Sequence, residues 1–253
     1  MTTKGKIVVV GLGEVGKPLL KLASEHCDVV GVDLAPVSPP DAVDVLHICF
    51  PFQIPDFIGE SVRYIERFRP SLTIVNSTVA PGTTRAIALR SGATVVNSPV
   101  RGKHARMLEE MRLYTKFIGA MDTAAGNLAA RHFESLGLKT KLLSSPEATE
   151  LAKLTETTYF GLIIAWAQEV ERYCDRTGQS YDEVVSFYDE IKFLPAKYFA
   201  GVIGGHCVMP NIKILSELGA STILQAIQTS NEMKMERDAR RSEGSAVVTA
   251  QLA

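Results

Sequence analysis

The sequence predicts an α/β fold: an N-terminal doubly wound parallel sheet, then an all-helical second domain, joined by a long connecting helix. Three observations predict it. Short apolar runs alternate with helical patterns through the first half of the chain, as strand–helix–strand units require. A glycine-rich turn, Gly11-Leu12-Gly13-Glu14-Val15-Gly16, separates the first apolar run from the first helical pattern. Near Pro146 the alternation stops, and from Glu147 to about Thr177 Leu151, Leu154, Phe160, Ile163, Ile164, Ala167, Val170 and Tyr173 recur with helical spacing. The domains are therefore expected at residues 1–145 and 146–253.

Ile7-Val8-Val9-Val10 reads as a buried parallel strand and Lys17 to Ala23 as the helix after it. In that setting Gly11 permits the tight turn, Gly13 lets the backbone approach a pyrophosphate, and Gly16 lets helix and strand pack closely. The phosphates would lie over the helix N-terminus, where free N–H groups and the helix dipole favour anions. This is a Rossmann dinucleotide fingerprint. The run Val29-Val30-Gly31-Val32 ends in Asp33, 17 residues after Gly16, where a carboxylate would accept hydrogen bonds from the adenosine ribose. It would repel a 2′-phosphate, and no Arg or Lys follows between Leu34 and Pro40, which favours NAD over NADP.

Further strands are expected at Val45–Phe50, Leu72–Asn76, Thr94–Asn97, Lys116–Gly119 and Lys139–Leu143, with helices near Asp56–Phe68, Thr84–Ser91 and Thr123–Leu136. Ligands bind at strand ends in such sheets, so Phe50-Pro51, Ser77-Thr78 and Ser98-Pro99 should line the cofactor crevice. His47 lies inside an apolar run and reads as a core histidine. Beyond Gly178, helices are expected near Tyr181–Asp189, Ile212–Leu218 and Thr222–Met235, with a loop from Gly204 to Pro210 and a frayed tail from about residue 237.

A net charge of −1 spread along 253 residues gives no electrostatic case for nucleic acid. No apolar stretch reaches the length of a membrane span, and Met1 to Lys6 leads straight into the first strand without a signal-peptide pattern, so a cytoplasmic protein is expected. Cys27, Cys49, Cys174 and Cys207 show no zinc-type spacing, and no metal is expected. Cys27, Cys49 and Cys174 fall in apolar patterns and read as small hydrophobes. Cys207 follows Gly204-Gly205-His206, a glycine-hinged loop able to approach a substrate, with His206 and nearby N–H groups able to favour a thiolate.

Four strings together resemble the UDP-glucose/GDP-mannose dehydrogenase family: residues 11–19 (GLGEVGKPL), 77–84 (STVAPGTT), 150–154 (ELAKL) and 204–207 (GGHC), in the family's order. The resemblance implies NAD-dependent oxidation of a nucleotide sugar's primary alcohol. Cys207 would be the nucleophile that forms a thiohemiacetal, Lys153 the support for the developing oxyanion, and Thr78 the holder of a water near the nicotinamide. This chain departs from the family at three places, two of which lose an acid: Thr157 stands for an asparagine, Val100 for a glutamate and Asn211 for an aspartate. General-base work would then fall to Glu150 or to a water at Thr78. Family members continue for about 150 residues into a nucleotide-sugar-binding domain, so a compact form lacking it is expected. The long helices from Glu147 and Thr222 carry apolar stripes that suit a homodimer interface.

Residues 97–102 (NSPVRG) also resemble the substrate loop of the 3-hydroxyisobutyrate and 6-phosphogluconate dehydrogenases. That alternative implies a two-electron hydroxyacid dehydrogenase in which Arg101 or Lys103 binds the substrate anion and Lys153 is the acid/base. A third expectation is an NAD-binding homologue without turnover.

Overall fold

A computed structural model describes residues 6–34, 42–102, 104–191, 198–204 and 207–251, with the side chains of 104 and 242–251 left aside. The chain divides into two compact units, residues 1–153 and 154–253, the boundary falling eight residues into the long helix rather than at its start.

Unit 1 is built on seven strands: β1 (Lys6–Val10), β2 (Asp28–Val32), β3 (Val45–Ile48), β4 (Leu72–Val75), β5 (Val95–Asn97), β6 (Lys116–Gly119) and β7 (Thr140–Leu143). They form one sheet of order β2-β1-β3-β4-β5-β6-β7. The helices are α1 (Gly16–Ser24), α2 (Phe57–Phe68), α3 (Thr83–Ser91), α4 (Met107–Leu113) and α5 (Thr123–Ser135), followed by α6 (Pro146–Thr177), which begins in this unit. Strand residues alternate between two cores. Ile7 and Val9 join Leu19, Leu22, Ala129 and Phe133 on one face, while Val8 and Val10 join Phe57, Val62, Ile65 and Ile87 on the other. Burial on both faces is why these strands read as continuous apolar runs.

One expectation needs correcting. β5 and β6 pair antiparallel through Asn97 and Gly119, while β6 and β7 pair parallel, so the last two strands run against the first five. The sheet is doubly wound and mixed rather than wholly parallel. The connection after β5 holds a 3-10 turn (His104–Arg106) and α4, a helix the apolar pattern did not reveal; α4 packs beside α1, where Arg112 pairs with Glu25.

Unit 2 contains the rest of α6, then α7 (Tyr181–Ser186), a 3-10 turn (Phe187–Glu190), α8 (Val208–Ser216) and α9 (Thr222–Gln251). Its main core is Ala165, Ile203, Ile212, Leu224 and Ile227. Two further corrections apply here. The expected loop to Pro210 ends earlier, because Cys207 already caps α8. The tail expected to fray from residue 237 is helical to Gln251. Its first part is tied to α6 by side chains that carry no apolar period: Lys234 and Arg237 to Glu171, and Arg237 and Arg241 to Asp175.

Candidate functional site

The glycine loop has the shape a pyrophosphate needs. Gly11 adopts φ +87°, and a Cβ there would meet Phe50 N at 2.6 Å; a Cβ on Gly16 would meet Gly11 O at 1.8 Å. Both positions therefore require glycine. Gly13 is exposed and nothing lies within 4 Å of where its Cβ would be, so the space above the start of α1 is open. Leu12 and Val15 are half-buried against the core, whereas Glu14 is exposed. Gly11 N donates to Val32 O at 2.9 Å, which brings the loop beside the end of β2, where Asp33 is exposed. Sheet order reverses between β1 and β3, and the crevice at such a switch point is where dinucleotides bind. These features fit an NAD pyrophosphate and ribose.

At the neighbouring strand ends Phe50 is buried and Pro51 exposed. Ser77 Oγ donates to Phe50 O at 2.6 Å, which fastens the end of β4 to that of β3. Thr78 is half-buried beside it. His47 is fully buried: its Nδ1 faces the Asn76 amide at 3.0 Å and its Nε2 meets His132 Nε2 at 2.9 Å. Burial holds both imidazoles below their ordinary range, His132 to about 4, so they serve as neutral core partners.

Glu150 is not available as a base. Its carboxylate is buried and accepts from Gly82 N at 2.7 Å and Thr84 N at 2.9 Å, capping α3. Burial raises its pKa, and the two amide donors oppose that shift. Glu150→Ala would leave two amides without their acceptor and is expected to cost about 2–4 kcal/mol of unfolding free energy. Glu150→Gln, which keeps one acceptor oxygen, should cost less in the same urea titrations; equal stability of Glu150→Ala and the parent would refute the capping role.

Sequence reasoning missed Lys116. It is buried on β6, and its Nζ donates to Ser98 O at 2.7 Å and Pro99 O at 3.3 Å, bracing the segment after β5 from below. Burial, chiefly, lowers its pKa to about 7, and Lys153 pushes in the same direction, while Cys49 opposes. The Cys49 thiol is pushed up to about 12 by burial. A lysine at the first position of a short apolar strand gives no sequence signal beyond its placement in an inward register. Val100 is buried in the core with Met107, Met111 and Ile118. Arg101 lies over the Tyr114 and Phe117 rings at 5.3 and 5.5 Å.

In unit 2, Asn211 Nδ2 donates to Thr157 Oγ1 at 2.8 Å, and Thr157 Oγ1 donates to Leu154 O at 3.0 Å. Two of the three departures from the family pattern thus meet in one buried pair. Cys207 is half-buried at the head of α8. Lys153 is half-buried on α6. His206 and Lys103 lie outside the described residues. Among the described residues, no group of three or more His, Cys, Asp or Glu is gathered to hold a metal, and no helix is long and apolar enough to cross a membrane.

Unit 1 is thus Rossmann-type with an open glycine loop, and unit 2 is helical with a cysteine at a helix start. Comparison with known proteins adds relatives to that fold. Residues 147–234 match the model of the UDP-glucose/GDP-mannose dehydrogenase family, central domain. A UDP-N-acetyl-D-mannosamine dehydrogenase of Methanocaldococcus jannaschii is 24% identical over 253 residues, covering 80% of this chain and 59% of that protein. The chain therefore spans about three fifths of that relative's length. Among solved structures, the UDP-D-ManNAc dehydrogenase of Pyrococcus horikoshii superposes with a TM-score of 0.81 at 22% identity, covering 97% of this chain and 72% of that one. A 3-hydroxyisobutyrate dehydrogenase of Mycobacterium tuberculosis superposes with a TM-score of 0.67 at 16% identity, covering 93% and 94%. The fold is shared with both.

Proposed function

We propose that the chain is an NAD-dependent dehydrogenase that oxidises the primary alcohol of a nucleotide-activated sugar, with Cys207 as covalent nucleophile. The observation that carries this reading is Cys207 at the head of α8 inside the segment matching the family's central domain. Gly11 to Gly16 would hold the pyrophosphate and Asp33 the ribose, with Phe50, Pro51, Ser77 and Thr78 at the strand ends beside them. The bound cofactor supplies the hydride acceptor. Lys153 would stabilise the alkoxide as hydride leaves carbon. The Cys207 thiolate would then add to the aldehyde to give a thiohemiacetal; loss of a second hydride leaves a thioester, and water releases carboxylate and thiol. Each oxidation uses one NAD, so two NADH form per carboxylate.

The Thr157–Asn211 pair would take the place of the family's asparagine and aspartate, holding a water by neutral hydrogen bonds. Without the family's glutamate and aspartate, replaced here by Val100 and Asn211, the thioester step would depend on solvent hydroxide and slow as pH falls. Arg101 and Lys103 would serve the substrate's anionic groups. A cytoplasmic setting, where thiols stay reduced, suits this chemistry. The test is NADH formed per carboxylate from UDP-N-acetyl-D-mannosamine and other nucleotide sugars: a ratio of two supports the reading. One NADH from a small hydroxyacid would instead support the lysine-based alternative, which Val100 in place of an acid also favours.

A homodimer accompanies this reading. Tyr159, Leu162, Trp166 and Tyr173 form one exposed apolar stripe on α6, which would be covered by a two-fold partner. Sedimentation velocity should show a dimer that Trp166→Glu converts to monomer; a monomeric parent chain would rule the dimer out.

A further inference from the structure

The backbone on both sides of Cys207 is tied to one face of α6. Thr157, Gly161 and Gln168 share that face, since steps of four and eleven residues at about 100° each return to within about 40° of the starting direction. On the C-terminal side, Asn211 bonds Thr157, and Val208 seats against Gly161, where a Cβ would stand 2.7 Å from Val208 Cγ1. On the N-terminal side, Gln168 Nε2 donates to Gly201 O at 2.7 Å. Asn231 takes the whole peptide edge of Ile203: its Oδ1 accepts from Ile203 N at 2.7 Å and its Nδ2 donates to Ile203 O at 3.1 Å. Ser230 Oγ donates to Gln168 Oε1 at 2.8 Å, and Arg172 donates to Ser230 Oγ at 2.9 Å.

Gln168, Ser230 and Asn231 are all buried, beside an otherwise apolar core. Buried amides are costly unless bonded, and a fully bonded buried network has few alternative geometries. Here that network fixes a loop segment rather than joining helix to helix alone. It ends at Ile203, four residues before Cys207, and the Thr157–Asn211 pair begins four residues after it.

We propose that Gln168 and Asn231 are positioning residues that set the reactive placement of Cys207 by clamping residues 201–203 to α6 and α9. The proposal rests on the reading of Cys207 as nucleophile. A thiol held against a helix N-terminus reacts as thiolate at lower pH than the same thiol on a loose loop. The clamp therefore acts on reactivity, whereas loosening alone would only increase access.

The test is the pH profile of iodoacetamide alkylation in the full chain, read by peptide mass spectrometry at Cys207 with half-buried Cys27 as internal reference. Asn231→Ala is expected to move the Cys207 midpoint up by about one pH unit, slowing alkylation at neutral pH about tenfold while Cys27 is unchanged. Gln168→Leu, which keeps Asn231 and the side-chain bulk, should shift it in the same direction and carries the test if Asn231→Ala fails to fold. An unchanged midpoint, or faster alkylation at every pH, would overturn the clamp. A parent chain in which Cys207 reacts no more readily than Cys27 would overturn the nucleophile reading, and the clamp with it.

Discussion

Cys207→Ser is expected to lower nucleotide-sugar turnover by roughly three orders of magnitude or more, the scale seen when a covalent nucleophile is removed, while NAD affinity stays within about twofold of the parent. The asymmetry follows from placement. The glycine loop, Asp33 and the strand ends all belong to unit 1, and Cys207 belongs to unit 2. A serine hydroxyl is of similar size but is a far weaker nucleophile near neutral pH, so the aldehyde would no longer be trapped and the second NADH would be lost first. Stopped-flow counting of NADH, together with NAD titration by fluorescence, separates the two effects. Full activity of Cys207→Ser on a hydroxyacid with one NADH per turnover would reject the thioester route. NAD binding with no turnover on either substrate class would identify a non-catalytic homologue.

A second large effect is expected in stability. Lys116 loses its proton near pH 7 when folded, against an ordinary lysine value of 10.5. Below pH 7 both folded and unfolded chains carry this proton. Above pH 7 the folded chain releases it and the unfolded chain keeps it, so stability rises with pH. From pH 7 to 9 the gain is about 2 kcal/mol, because the folded lysine is still half protonated at pH 7 and the slope approaches 1.36 kcal/mol per unit only above it. Cys49 acts in the opposite sense above pH 9, where the unfolded thiol ionises and the buried one, displaced to about 12, does not. The rise should therefore level off near pH 9. His47 and His132, both held below 6.5, add a smaller rise in the same sense that is complete by about pH 7.5, because the unfolded imidazoles still bind protons near pH 6.5 where the folded ones do not. Urea unfolding at pH 6.5, 7.5 and 9.0 should show the rise in the parent and its loss in Lys116→Met. A parent whose stability is flat from pH 7 to 9 would contradict a charged-to-neutral transition at Lys116.

Much of unit 1 was legible because each local signal has one physical meaning. Gly11 and Gly16 had to be glycine, and the structure shows the contacts that demand it. The apolar runs located β1, β3 and β4 within a residue or two, because strands buried on both faces leave an uninterrupted pattern. Asp56 and Asp122 accept from the third residues beyond them, as helix N-caps do, and the helices begin there. α4 escaped notice because seven residues span too little of a helical period to stand out. The length of α9 escaped because charged partners on α6, rather than an apolar stripe, support its later turns.

By itself the sequence determined the strand–helix alternation, the dinucleotide fingerprint, the long helix and the resemblance that singles out Lys153 and Cys207. These depend on residues close together in the chain, where spacing translates directly into geometry. Tertiary structure alone decided the reversed direction of β6 and β7, since an apolar strand reads the same parallel or antiparallel. It also decided that Glu150 caps α3, that Lys116 braces Ser98 and Pro99, and that Thr157 meets Asn211. Each of those polar side chains satisfies a partner between 17 and 68 residues away, and what a buried polar group bonds to is set by which strands and helices packing brings beside it.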